Sequence, residues 1–151
     1  MKYFAYGMNT NLDQMARRCP QAVSLGIATL PGYEFRFAVH ADVLENSTFD
    51  TDGVLWEISN DCLYELDKLE GYGYYYDRKI VTVIHEGKPV EALVYYMLEG
   101  NTDLPPSEHY LEMLYDGYYE HGISVAQLHD AIEFALTLNY EKVGDYEYEI
   151  F

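Results

Sequence analysis

In the stretch Asn60 to Glu70, Cys62, Leu63, Leu66 and Leu69 share one face when the chain is set out at about 100° per residue, and Glu70 falls in the middle of that face. Asp61, Asp67 and Lys68 point elsewhere. A carboxylate on an apolar stripe is costly unless it is partnered or protonated. The end of a helix adds the unfavourable pole of the backbone dipole. Both effects push the acid's pKa upward, as a general base working near neutrality requires. A frayed last turn that swings Glu70 into water fits the same pattern. The next residues, Gly71-Tyr72-Gly73-Tyr74-Tyr75-Tyr76-Asp77-Arg78, offer two turn-permissive glycines and four phenolic hydroxyls on rigid rings. Such a run suits a pocket wall beside Glu70, or equally an aromatic surface at a strand start.

A second candidate lies at the N-terminus. Tyr3-Phe4-Ala5-Tyr6 is an apolar, strand-forming run that breaks at Gly7. Met8 follows, and Asn9, Thr10 and Asn11 are good helix N-caps. Leu12, Met15, Ala16 and Cys19 then repeat at helical spacing. A strand, a tight glycine turn and a helix start leave backbone N–H groups free near a positive helix end, where a carboxylate or a developing oxyanion is favoured. A plain strand-to-helix connection accounts for the same pattern.

The other chemistries lose ground. Five histidines show no metal-ligand spacing, and the two cysteines, Cys19 and Cys62, are far apart in the chain, so no metal is expected. There is no Gly-x-Ser-x-Gly, no phosphate-binding glycine loop and no dinucleotide fingerprint. The net charge of −17, with only nine Lys and Arg, argues against nucleic acid and anionic membrane surfaces, and deprives the seventeen tyrosines of the basic groove that base stacking needs. No apolar run is long enough to span a membrane, and no export signal is apparent. The cysteines fall on apolar helix faces and read as small core residues of a reducing compartment, so a cytoplasmic protein is expected.

Elements to position these groups are then read along the 151 residues, 49 % of them hydrophobic. Val23 to Leu30 reads as a strand ending at Pro31-Gly32, and Tyr33 to Val39 as a half-buried strand. Asp42 to Asp50 is polar and aperiodic, a loop. Thr51 to Ile58 is a strand with a bulge at Gly53. Asn60 to Glu70 is a helix capped by Ser59 or Asn60 and closed by Gly71. Asp77 to His85 and Val90 to Leu98 form a hairpin around Glu86-Gly87-Lys88. Ser107 caps a helix to about Tyr119 whose stripe begins at Tyr110. Ser124 and Gln127 form a capping box for the last helix, and the acidic, aromatic tail from Tyr140 is an edge strand or a pocket cover. With no linker or repeat, one α+β domain spanning residues 1–151 is expected.

Taken together, these segments resemble a known family. Tyr3-Phe4-Ala5-Tyr6-Gly7-Met8-Asn9 is similar to the Tyr-Gly-Ser-Asn opening of the γ-glutamylcyclotransferase-like (AIG2-like) proteins. Gly53-Val54-Leu55-Trp56, Leu66-Asp67-Lys68-Leu69-Glu70-Gly71, Val81-Thr82-Val83, Val94-Tyr95-Tyr96-Met97 and Pro105-Pro106-Ser107-Glu108-His109-Tyr110 resemble its later segments in order and spacing. The likeness runs from Lys2 to about Ile132. It implies a small mixed β-barrel with surrounding helices and an enzyme that cyclises a γ-glutamyl amino acid or amine to 5-oxoproline. Neither cofactor nor metal is needed. Glu70 would be the acid–base residue, Tyr6, Gly7, Met8 and Asn9 would hold the γ-glutamyl group, and Tyr76, Tyr95 and Tyr110 would line the pocket, with Tyr96 the alternative to Tyr95. Met8 departs from the pattern, since serine is commonest there; a backbone donor survives the change and a hydroxyl does not. The partner implied is a small γ-glutamyl molecule, with a homodimer left open. A non-catalytic module that sequesters a small ligand on the same scaffold is the competing reading.

Overall fold

The computed structural model describes residues 1–150, with side chains described as far as Asn139. Its order is β1 (Lys2–Ala5), a 3-10 turn (Met8–Thr10), α1 (Leu12–Arg18), β2 (Val23–Ala38), β3 (His40–Glu57), α2 (Asn60–Glu70), β4 (Tyr76–His85), β5 (Lys88–Met97), α3 (Glu108–His121) and α4 (Ala126–Ile150). The five strands close into a barrel in the order β1-β3-β2-β4-β5. Every neighbour is antiparallel except β1 and β5, which meet in parallel at Tyr3 and Leu93 and make the barrel mixed.

The run Val54-Leu55-Trp56 is buried throughout, on both faces of β3. Such a run needs cover on both sides of the sheet, as in a barrel clothed by helices. Phe4, Leu30, Phe37, Val83 and Val94 are buried with it, while Leu66, Leu114 and Leu128 bring in α2, α3 and α4. Gly53 pairs in register with Ala28 and makes no bulge. It is glycine because a Cβ there would strike the Ala5 carbonyl and the Phe4 ring, where β1 crosses close by.

Several sequence expectations change. Pro31-Gly32 does not end a strand: β2 runs through it with a bulge, Gly32 taking φ of +79° and the proline sitting at the irregularity, where a missing N–H is tolerated. Asp42 to Asp50 is strand, the inner arm of a long β2–β3 hairpin. Its outer part, from Glu45 to Asp50, is mostly exposed on both faces, so no alternating pattern marks it. Val39, at the hairpin tip, takes φ of +67°. Gln127 is not a capping-box partner. Its amide spans Asp52, accepting from the N–H and donating to the carbonyl at 2.8 Å each, and so fastens α4 to the barrel. From Tyr140 the backbone continues α4 rather than pairing as an edge strand; its side chains, and with them the idea of a pocket cover, lie outside those described.

The largest correction concerns the cysteines. Cys19 and Cys62 are buried, as expected, but joined in a disulfide with Cα atoms 5.2 Å apart. The bond ties the end of α1 to the first turn of α2, across 43 residues of chain. The cysteines therefore give no support to a reducing compartment. Among the described residues no helix is long and apolar enough to cross a membrane.

Candidate active site

A cavity of about 150 Å³ opens at one end of the barrel. It gathers all eight residues singled out from the sequence: Tyr6, Gly7, Met8 and Asn9 after β1, Glu70 at the end of α2, Tyr76 and Tyr95 at the facing ends of β4 and β5, and Tyr110 in the first turn of α3. Tyr3, Arg18, His40 and Tyr75 also line it.

Glu70 owes its place to two caps. Ser59 accepts from the Cys62 N–H and starts α2, and Gly71, at φ of +63°, stops it one residue after the glutamate. The helix does not fray there. Leu66 and Cys62 are buried beneath it, whereas Leu69, expected on the same face, is 45 % exposed at the cavity rim. Burial pushes the Glu70 carboxyl up to about 7, and Arg18 partly opposes that shift. Of the tyrosine run that follows, only Tyr75 and Tyr76 reach the cavity; Tyr72 lies beneath the Arg78 guanidinium and Tyr74 is exposed.

The turn after β1 has a fixed polarity. Its four carbonyls all accept hydrogen bonds. Tyr6 takes the Tyr118 hydroxyl at 2.6 Å, and Gly7 takes Thr10 Oγ1 at 2.7 Å with the Thr10 N–H. Met8 takes the Asn11 N–H, and Asn9 the Trp56 indole at 3.0 Å. The N–H groups of Gly7 and Asn9 have no acceptor among the described residues. This is the free-donor arrangement that a nascent oxyanion requires. Asn11 caps α1 through the Gln14 N–H. Gly117 of α3 presses on the turn so closely that a Cβ would strike Thr10.

The pocket tyrosines divide by what their protons do. Tyr6 donates to the Tyr95 carbonyl at 2.6 Å, Tyr76 to the Ala41 carbonyl at 2.6 Å, and Tyr95 to Asp67 Oδ1 at 2.7 Å. Asp67 does not simply point into solvent; its other oxygen pairs with Arg78. Tyr110 instead accepts, from the Ala41 N–H at 3.0 Å, and Tyr3 accepts from Asn9 Nδ2 at 3.1 Å. Tyr3 and Tyr110 thus keep an unspent O–H. Burial holds all five phenols above their ordinary value, so they are donors and not anions. Tyr96 bonds Asp77, so Tyr95 is the pocket residue of that pair. His40, at the mouth, bonds the Tyr75 hydroxyl at 2.8 Å, and burial holds its pKa down, favouring the neutral ring.

Sequence reasoning missed Tyr3, Arg18, His40 and Tyr75 as a set. Tyr3 and Tyr75 lay inside segments already marked. Arg18 and His40 carried no signal, because α1 and the β2–β3 hairpin reach the cavity only through the barrel's closure.

Within the closed barrel, a carboxyl pushed up to about 7 shares one small cavity with backbone N–H groups that have no acceptor among the described residues, an arrangement suited to acid–base work on a small molecule. Residues 3–119 match the family described as gamma-glutamyl cyclotransferase, AIG2-like, and the chain belongs to that family. It is 27 % identical over 159 residues to the gamma-glutamylcyclotransferase of Bos taurus, covering 96 % of this chain and 80 % of the bovine one. Among solved structures, a gamma-glutamyl cyclotransferase superposes with a TM-score of 0.77 at 24 % identity, over 92 % of this chain and 86 % of that one. YkqA from Bacillus subtilis superposes at 0.74 with 27 % identity, covering 93 % of this chain and 53 % of its own. The expectation of a small mixed barrel of this family, and of an enzyme of this type, is borne out.

Proposed function

We infer that the protein converts γ-glutamyl amino acids or amines to 5-oxoproline by intramolecular aminolysis, with Glu70 moving the proton. The observation that carries the reading is a carboxyl held at about 7 in the same cavity as the free N–H groups of Gly7 and Asn9. The substrate brings its own nucleophile, an α-amine that is protonated at neutral pH. Glu70 takes a proton from that ammonium. The freed amine attacks the γ-carbonyl, forming the C–N bond of a five-membered ring. The Gly7 and Asn9 N–H groups and the Tyr110 hydroxyl face the oxygen as it gains charge. The tetrahedral carbon then expels the former amide nitrogen, which takes the first proton back from Glu70; the ring nitrogen sheds its second proton through the same carboxylate to the departing amine, which leaves as an ammonium. Atoms balance without water: one γ-glutamyl amide gives one lactam and one amine. Because both reacting groups belong to one molecule, holding it folded is worth about 10⁵ M or more in effective concentration for well-aligned systems.

The test is 5-oxoproline release from γ-glutamyl dipeptides and γ-glutamylamines, wild type against Glu70→Gln. Release by the wild type, lost in the variant, supports the reading. Binding of a γ-glutamyl compound by both proteins with turnover by neither would make the scaffold a binding module instead.

A further inference from the structure

Arg18 is the one permanent cation among the described residues that line the cavity. Its Nη1 donates to Gln14 twice, to the carbonyl at 3.1 Å and to Oε1 at 3.0 Å. The opposite edge of the guanidinium is different. Nη2 rests 3.2 Å from the Met8 thioether, and Nε is buried with no partner among the described residues. Nε and Nη2 together form the side-on fork that takes a carboxylate through two parallel hydrogen bonds. Among the described residues no oxygen meets that fork. A thioether is a weak acceptor, and a buried N–H left unpaired costs stability. A pocket arginine left in this state keeps its donors for something that enters.

We propose that the Nε–Nη2 edge of Arg18 binds the α-carboxylate of the γ-glutamyl group, the Met8 thioether moving aside as it does so. The assignment rests on the cyclotransferase reading and deepens it. The α-carbon of that substrate carries an ammonium and a carboxylate, and the cavity offers one partner for each. Glu70 and the unpartnered Asn9 Oδ1 are acceptors for the ammonium. Arg18 is the donor for the carboxylate. The chain carries a net charge of −17, so the general field repels an anion and a local cation must overcome it. Met8 gains a role here as well. It lies against the guanidinium and shields the empty fork until substrate arrives.

The experiment compares ligands with and without the carboxylate. Calorimetry of 5-oxoproline and of 2-pyrrolidinone, the same lactam lacking the carboxylate, is carried out on wild type, Arg18→Gln and Arg18→Lys. Wild type should prefer 5-oxoproline, and Arg18→Gln should lose roughly 10- to 100-fold of that preference, the worth of hydrogen bonds to a charged group. Arg18→Lys, which keeps the charge but not the fork, should fall between. In turnover, kcat/KM for γ-glutamyl-alanine should drop in Arg18→Gln by at least roughly tenfold more than that for 4-aminobutyryl-alanine, which closes the same ring without a carboxylate and shares any change at Glu70. Equal losses on both substrates, or no preference for 5-oxoproline in the wild type, would overturn the assignment. Binding of 5-oxoproline that depends on Arg18, in a protein that turns over neither substrate, would keep the carboxylate site and reject the cyclotransferase reading.

Discussion

The Trp56 indole donates to the Asn9 carbonyl at 3.0 Å, so a barrel strand holds the turn that closes the cavity. Trp56 is 3 % exposed and its hydrogen bond is buried. Trp56→Phe keeps an aromatic ring in the strand but leaves a small cavity and that carbonyl unpaired. A loss of about 1–3 kcal/mol in urea unfolding is expected. A fall in kcat should accompany it, since the neighbouring N–H donors are no longer held in place. Unaltered turnover in a destabilised protein would separate the turn from the chemistry.

Glu70→Gln should lower turnover by roughly 10² to 10⁴ with ligand binding largely kept. The wild type should need the ionised carboxylate, so kcat/KM should rise with pH through a midpoint near 7. A flat acid limb between pH 5 and 8 would show that Glu70 is not the base.

The same carboxyl predicts a stability signature. Its folded pKa of about 7 lies above its ordinary 4.5. The folded state therefore binds the proton more tightly, and stability falls as pH rises from about 4.5 to 7. Glu70→Gln abolishes that component. Melting curves of the two proteins should diverge above neutrality, with the glutamine variant the more stable, and should approach one another at pH 4. The opposite order would mean that the carboxylate is well solvated.

Gly7 permits a close approach. A Cβ there would lie 3.0 Å from Ala41 Cβ and 3.1 Å from the Tyr110 hydroxyl, so the glycine is needed for space within the pocket. Gly7→Val should weaken 5-oxoproline binding by more than tenfold, about 1.4 kcal/mol or more, and push Tyr110 off the Ala41 N–H. Retained affinity would make the turn a mere connector.

Tyr110 and Tyr76 should answer the same mutation differently. Tyr110→Phe removes an unspent O–H and also leaves the Ala41 N–H unpaired, so it should cost turnover beyond the loss of about 1–3 kcal/mol of stability. Tyr76→Phe breaks a buried bond to the Ala41 carbonyl and should cost about 1–3 kcal/mol of stability first. Matching losses of turnover from the two, measured under conditions where both are folded, would contradict the division of the tyrosines by their protons.

Local signals carried far in this chain. Ser59, Gly71 and the spacing of Cys62 and Leu66 locate Glu70 on an α2 face without any tertiary knowledge, because caps and periodicity act within a few residues. The β4–β5 hairpin and the break at Gly7 are local in the same sense. What depended on distant chain was illegible. Gln127, three residues after Ser124 like a capping partner, is claimed by Asp52, 75 residues away. The strand between Asp42 and Asp50 exists because β2 lies beside it, and its exposed outer part needs no apolar alternation. Cys19 and Cys62 sat on apolar faces as free cysteines do, and only the packing of α1 against α2 brought their Cα atoms within bonding reach. The sequence alone therefore placed a carboxylate on an apolar face at a helix end, and a glycine turn ahead of a helix start. Barrel closure decided that the two face one cavity. It also set which tyrosines spend their O–H on protein acceptors and placed Arg18 in the same cavity. Those relations join side chains through contacts between elements far apart in the chain, and no residue's own propensity encodes them.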